Sequence, residues 1–163
     1  LQAEYNHVRP YVYAHSEVLT NYGHNNQSLG HQWGGNFKEF IGIARYNYKR
    51  YFADAKITFG RRGLDFTDSG ANSNFGANIY RDYEEERYAD TGVVIGQGNR
   101  TTIFIADMQA GYLINPATNL KLFGSLIYRN FNPTTDNLTD FKESTTWFSV
   151  GIRCDIFNWY LDY

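Results

Sequence analysis

Residues 36–62 read NFKEFIGIARYNYKRYFADAKITFGRR, and this stretch decides the fold. Taken in steps of two, Phe40, Gly42, Ala44, Tyr46 and Tyr48 alternate with Glu39, Ile41, Ile43, Arg45, Asn47 and Lys49. Past the Lys49-Arg50 pair, Tyr51, Ala53, Ala55, Ile57 and Phe59 alternate with Phe52, Asp54, Lys56, Thr58 and Arg62. Period two is the strand period, because successive side chains leave opposite faces of a pleated ribbon. Two such runs around a very short turn predict a β-hairpin. One face is apolar, with small and aromatic residues, and the other carries charges of both signs. A barrel in a membrane divides its residues that way, between lipid outside and a polar lumen within.

The pattern recurs along the chain. Residues 2–14 predict a first strand, weakened by Pro10, which cannot donate to a ladder. Residues 102–114 place Phe104, Ala106, Met108, Ala110, Tyr112 and Ile114 on one face and Asp107, Gln109 and Gly111 on the other. After the turn composition Asn115-Pro116-Ala117-Thr118-Asn119, residues 120–131 set Leu120, Leu122, Gly124, Leu126 and Tyr128 against Lys121, Ser125 and Arg129. Residues 145–157 set Phe148, Val150, Ile152, Cys154 and Ile156 against Ser149, Gly151, Arg153 and Asp155. Between these runs, residues 15–35, 63–99 and 132–144 are polar and aperiodic, although 77–83 and 92–96 are expected to pair as a short hairpin.

Short and long connections therefore alternate strictly, which puts every long loop of an up-and-down meander at one end. Outer-membrane barrels show this asymmetry, with short periplasmic turns and long external loops. The bulk numbers agree. The 163 residues amount to one domain, and a net charge of −2 favours neither nucleic acid nor a polybasic anchor. Aromatic residues make up 18 % of a chain whose mean hydropathy is −0.52, a combination that suits strands half greasy and half wet. No run of about 18 apolar residues predicts a transmembrane helix, and a β-barrel would show none. The chain opens at Leu1-Gln2 with no signal-peptide pattern, so it is taken as a mature product or a piece whose amino-terminal part lies elsewhere. The single Cys154 has no partner for an internal disulfide and reads as a small hydrophobe.

The fold expectation is an all-β, antiparallel up-and-down transmembrane barrel, or its carboxy-terminal strands. Six predicted strands fall short of the smallest known barrels, at about eight. Candidate lumen ion pairs come from Arg45, Asp54, Lys56, Asp107, Arg129, Arg153 and Asp155, a nearly balanced set. Candidate interfacial aromatics are Tyr48, Tyr51, Tyr112, Trp159, Tyr160 and Tyr163. His7, His15, His24 and His31 lack zinc-site spacing, and Asp65-Phe66-Thr67-Asp68-Ser69-Gly70 resembles a calcium loop only faintly and reads better as an Asp/Ser turn. His15-Ser16 shows no orienting third group for a nucleophile. Trp33 and Trp147 are candidates for sugar stacking, although anchoring and packing are commoner uses. No catalytic, cofactor or metal site is expected.

Several segments carry a resemblance: Tyr5-Asn6-His7-Val8-Arg9-Pro10-Tyr11, Leu19-Thr20-Asn21-Tyr22-Gly23-His24, Gly35-Asn36-Phe37, Gly96-Gln97-Gly98-Asn99, Leu113-Ile114-Asn115-Pro116-Ala117-Thr118-Asn119-Leu120 and Asp155-Ile156-Phe157-Asn158-Trp159-Tyr160. Through them the chain resembles the carboxy-terminal third of the RemB-type gliding-motility outer-membrane proteins of Bacteroidota, relatives of Wzi-type capsule-assembly barrels. The resemblance implies a non-enzymatic cell-surface component in outer-membrane lipid, with partner proteins of a motility complex or surface polysaccharide at its long loops. A porin-like channel is the alternative, and a soluble ligand-binding barrel a more distant one.

Overall fold

The computed structural model describes residues 1–66, 72–136 and 141–154. Its architecture is all-β. Six strands form one antiparallel sheet: β1 (Gln2–Val8), β4 (Phe37–Tyr48), β5 (Tyr51–Leu64), β6 (Asn99–Asn115), β7 (Leu120–Pro133) and β8 (Glu143–Arg153), paired in that order. A two-stranded ribbon, β2 (Gly23–His24) with β3 (Gln27–Ser28), lies in the loop before β4, after a 3₁₀ turn at Val18–Thr20. Among the described residues the sheet is open: β1 and β8 form its two edges and do not pair with each other, so no closed barrel is seen.

The founding hairpin has the register its alternation demands, from Phe37 opposite Arg62 to Tyr48 opposite Tyr51. Lys49 takes a φ of 54° in the two-residue turn, and the Leu113 amide donates to the Arg50 carbonyl at 2.7 Å, tying the turn to β6. The next short turn follows Asn115, whose Oδ1 accepts the Ala117 amide at 2.9 Å. A slip in register between Leu113 and Asn115 marks that strand end.

Two sequence expectations need correction, and a third reaches beyond the described residues. The first strand stops at Val8, not at residue 14, because Tyr11 takes a φ of 62° and leaves the sheet. No hairpin joins 77–83 to 92–96; Asn74 makes an isolated bridge with Arg87 instead. The last strand ends at Arg153, and its expected continuation to residue 157 lies outside the described residues.

Register sorts every strand residue onto one of two faces. The first face holds five largely apolar cross-strand rows, from Phe40–Phe59–Phe104 near the long loops to Tyr48–Tyr51–Tyr112–Leu122–Ile152 at the short turns. Between them lie Gly42–Ile57–Ala106–Tyr128, Ala44–Ala55–Met108–Leu126–Phe148 and Tyr46–Ala53–Ala110–Gly124–Val150. The second face holds Glu39, Arg45, Asp54, Lys56, Asp107, Gln109, Lys121, Arg129 and Arg153, together with Ile41, Ile43, Ile103, Ile105 and Ile127. The small buried core, Trp33, Phe37 and Ile103 with Val8, Ile105 and Phe131 against it, sits on the second face at the long-loop end.

Candidate functional site

At the long-loop end of the sheet the loops form an ordered cap, laid on the second face through Trp33, and short polar side chains hold it. Asn36 is fully buried with a φ of 59°. Its Nδ2 donates to the carbonyls of Gly63 (2.7 Å), Phe75 (3.1 Å) and Gln97 (2.9 Å), and its Oδ1 accepts the Gly96 amide at 2.7 Å. One side chain thus joins three segments distant in sequence. Asn74, 1 % exposed, does the same for the acidic loop, donating to Asp82 and Glu85 carbonyls and accepting from the Gly76 amide. Asp65 accepts the amides of Phe75, Ala77 and Asn78, so its carboxylate serves as a backbone clamp. Phe66 of the faint calcium-loop segment packs edge-on to Phe75, and residues 67–70 lie outside the described residues.

The cap is docked by aromatic rings. Trp33 lies edge-on to Phe37 at 5.4 Å between centroids and covers Gly60, where a Cβ would collide with its ring. The same device recurs along this face: Phe52 covers Gly111 across the β5–β6 pair, and Phe123 covers Gly151 across β7–β8. Trp33 is therefore a packing residue, 8 % exposed, whereas Trp147 on the edge strand is exposed.

Near Trp33 lies Glu39, with a side chain 1 % exposed, the one deeply buried carboxylate of this face among the described residues. His31 Nε2 stands 2.8 Å from Glu39 Oε2, and Asn6 Nδ2 donates to the same oxygen at 3.2 Å. The Trp33 amide donates to His31 Nδ1 at 3.1 Å. An Nδ1 that accepts carries no proton, so the bonding pattern assigns the hydrogen to Nε2, which donates it to Glu39. Burial without partners would be costly for this carboxylate; two donors satisfy it and fasten the cap to β4.

Toward the short turns the face opens and becomes more polar. Arg45 and Asp54, opposite in register, come within 4.0 Å. Lys56 lies opposite Asp107, and Arg129 lies between Ile105 and Thr145. Arg153 lies opposite Lys121 in register. Among the described residues, the ion pairs within 4.0 Å on this face are Arg45–Asp54 and His31–Glu39. Asp155 lies outside the described residues.

Of the expected interfacial aromatics, Tyr48, Tyr51 and Tyr112 share one row on the first face, with the Tyr51 and Tyr112 rings 5.1 Å apart. Trp159, Tyr160 and Tyr163 lie outside the described residues. Sequence reading missed the opposing row, Phe40–Phe59–Phe104, with Tyr5 opposite Phe40. The signal was there in the equal spacing of Phe40 and Phe59 from the Lys49-Arg50 turn.

The histidines do not assemble. His15 packs edge-on to Tyr83 and accepts the Glu17 amide, His7 lies beside Tyr5, and His24 belongs to β2. Among the described residues no group of three or more His, Cys, Asp or Glu gathers around a common point. Within the cap, a cavity of about 330 Å³ is lined by the polar Asn26, Ser28, Gln32, Asn78 and Tyr80, by Trp33, Leu64 and Ile79, and by the charged Arg62 and Asp65. Amide, hydroxyl and aromatic groups of this kind suit a sugar ring. Searches among models of known protein families, curated proteins and solved structures each return no match.

Proposed function

We propose that this sheet is part of an outer-membrane β-barrel, with its first face toward lipid and its capped face toward the lumen. The observation that carries the reading is the state of the first face. No described element covers it, and most of its large side chains are exposed, from 37 % at Tyr112 to 70 % at Phe148, with Phe104 and Tyr128 half-buried. A soluble protein rarely leaves so wide an apolar surface open.

The dimensions support lipid as the covering. From the Phe40 row to the Tyr48 row is eight residues, about 27 Å along a strand at ~3.4 Å per residue. Strands tilted by ~35–45° bring that to roughly 20 Å between ring rows, near the ~25 Å apolar band with aromatic girdles of known barrels. The aromatic border also steps down one row from Phe104 to Tyr128 and again to Phe148, as it would for strands inclined to a membrane plane. Further strands joined to the open edges β1 and β8 would close the barrel.

The role best supported is a non-enzymatic surface component, in line with the resemblance to gliding-motility and capsule-assembly barrels. The long loops form a built platform with an amide-rich cavity, a place for partner proteins or polysaccharide. A porin-like channel is disfavoured by the same cap, since Trp33, Phe37 and the buried Glu39 fill the polar face at that end. The test is fractionation and conductance of the full-length protein. It should stay with outer membranes after an alkaline wash, remain monodisperse only in detergent, and give no steady single-channel openings. Monodispersity in plain buffer would overturn the membrane reading, and steady openings would replace the docking role with a pore. Deleting the gene should impair surface spreading or capsule display; normal behaviour in both would remove the surface role.

A further inference from the structure

We propose that Lys38, Arg61 and Arg100 form a belt that binds the phosphates of lipid headgroups at the long-loop border of the first face. The proposal rests on the membrane reading above and adds a ligand to it. The row immediately beyond Phe40–Phe59–Phe104 is His7–Lys38–Arg61–Thr102–Asn132. Arg100, opposite Gly63, comes one row further and lies diagonal to Arg61. All three cations are exposed.

Charge on the described strands is sorted by face with no exception on this side. Glu4, Glu39, Asp54, Asp107 and Glu143 all project from the second face, while the first face carries no Asp or Glu. Its formal charges are the three cations of the belt. Lys38 and Arg61 are directly opposite on neighbouring strands, a pairing that destabilises a sheet unless an anion lies between them. Among the described residues no carboxylate lies within 4.0 Å of any of the three. The anion that fits is therefore supplied from outside.

Position selects its source. A lipid whose acyl chain lies along Ile57 and Phe59 has its headgroup level with Arg61. Long basic side chains reach to that level while their stems stay on apolar surface. An Arg fork receives two phosphate oxygens at once, and Lys38 adds a compact charge beside it.

The test reconstitutes the full-length protein in phosphatidylcholine vesicles with trace spin-labelled phosphatidylglycerol or spin-labelled phosphatidylcholine. The wild type should hold labelled phosphatidylglycerol in preference, and each neutralised cation should cut that preference by up to about fivefold. The variant K38Q/R61Q/R100Q should show none while restricting as much phosphatidylcholine as the wild type. If the triple variant does not fold, K38Q and R61Q singly carry the same expectation in part. Neutralising Arg45 and Lys56 on the other face should leave the preference intact.

A wild type without preference, or a triple variant that keeps it, overturns the belt but not the membrane reading. No restricted lipid of either kind overturns the membrane reading itself. Inorganic phosphate that binds the detergent-solubilised protein and displaces the labelled lipid would reassign the belt to a soluble anion.

Discussion

The two faces of this sheet are made by the same strands, yet they are stabilised in opposite ways. The second face is finished by the chain itself: Trp33 and Phe37 close it, and Asn36, Asn74 and Asp65 fasten the loops that carry them. The first face is left unfinished: its apolar rows pack only against their own neighbours, and no described element covers them. Polar bonding within the chain therefore specifies one side, and the surrounding medium must supply the stability of the other.

That contrast can be broken at particular residues. The largest effect is expected for Asn36→Ala, which removes two N–H donors shared among three carbonyls and the acceptor of one amide. Each orphaned buried group costs about 1–3 kcal/mol, so local stability should fall by several kcal/mol. Hydrogen exchange should then quicken at Gly96 and Phe75 but not on β7. Next comes Met108→Arg, in the middle row of the apolar face. A cation there should cost about 2–4 kcal/mol in a bilayer, measured by urea unfolding of the reconstituted protein. Gln109→Arg, one residue along and on the other face, should cost far less; equal costs would erase the distinction between the faces.

His31→Ala tests the fastening of the cap. Loss of a hydrogen bond to a charged group is worth about 1.5–3 kcal/mol, and protease cleavage within residues 15–35 should accelerate while the sheet survives. Tyr51→Ala removes one ring of a cross-strand aromatic pair, worth about 0.5–1.5 kcal/mol, and should lower the unfolding midpoint slightly in lipid.

The smallest effect is alkaline. Burial pushes the Tyr11 phenol above its ordinary 10.0, against the lowering by a backbone hydrogen bond and the Arg87 charge. The unfolded phenol ionises first as pH rises, so the stability Tyr11 adds is complete below pH ~10 and is lost as pH climbs through its folded value. The difference in melting temperature between wild type and Tyr11→Phe should shrink over that interval, and a difference that stays constant would refute the assignment.

How much of this was legible in the sequence follows from what kind of bond makes each part. The strands were legible because alternation of Phe40, Gly42 and Ala44 against Glu39, Ile41 and Ile43 has no other reading, and short turns pinned the register. The cap was not, because it is built from single amide side chains bonding to distant backbone, which leaves no period. Tyr11 and Tyr13 continued the alternation of β1 on paper, but Tyr11 donates its hydroxyl to the Asn74 carbonyl at 2.6 Å inside the cap. The charges of the second face were legible as a face, and Arg45–Asp54 is the expected pair that comes within 4.0 Å among the described residues.

The central claim is that the first face touches acyl chains. It is tested most directly by nitroxide labels placed singly from Phe104 to Gly111 on β6, in the full-length protein with Cys154 replaced by Ser and reconstituted in vesicles. The account predicts that dissolved oxygen reaches labels at 104, 106, 108 and 110 best, while a water-soluble nickel chelate does not reach them. Ready access of the chelate to those four positions would show water on the apolar face and contradict it.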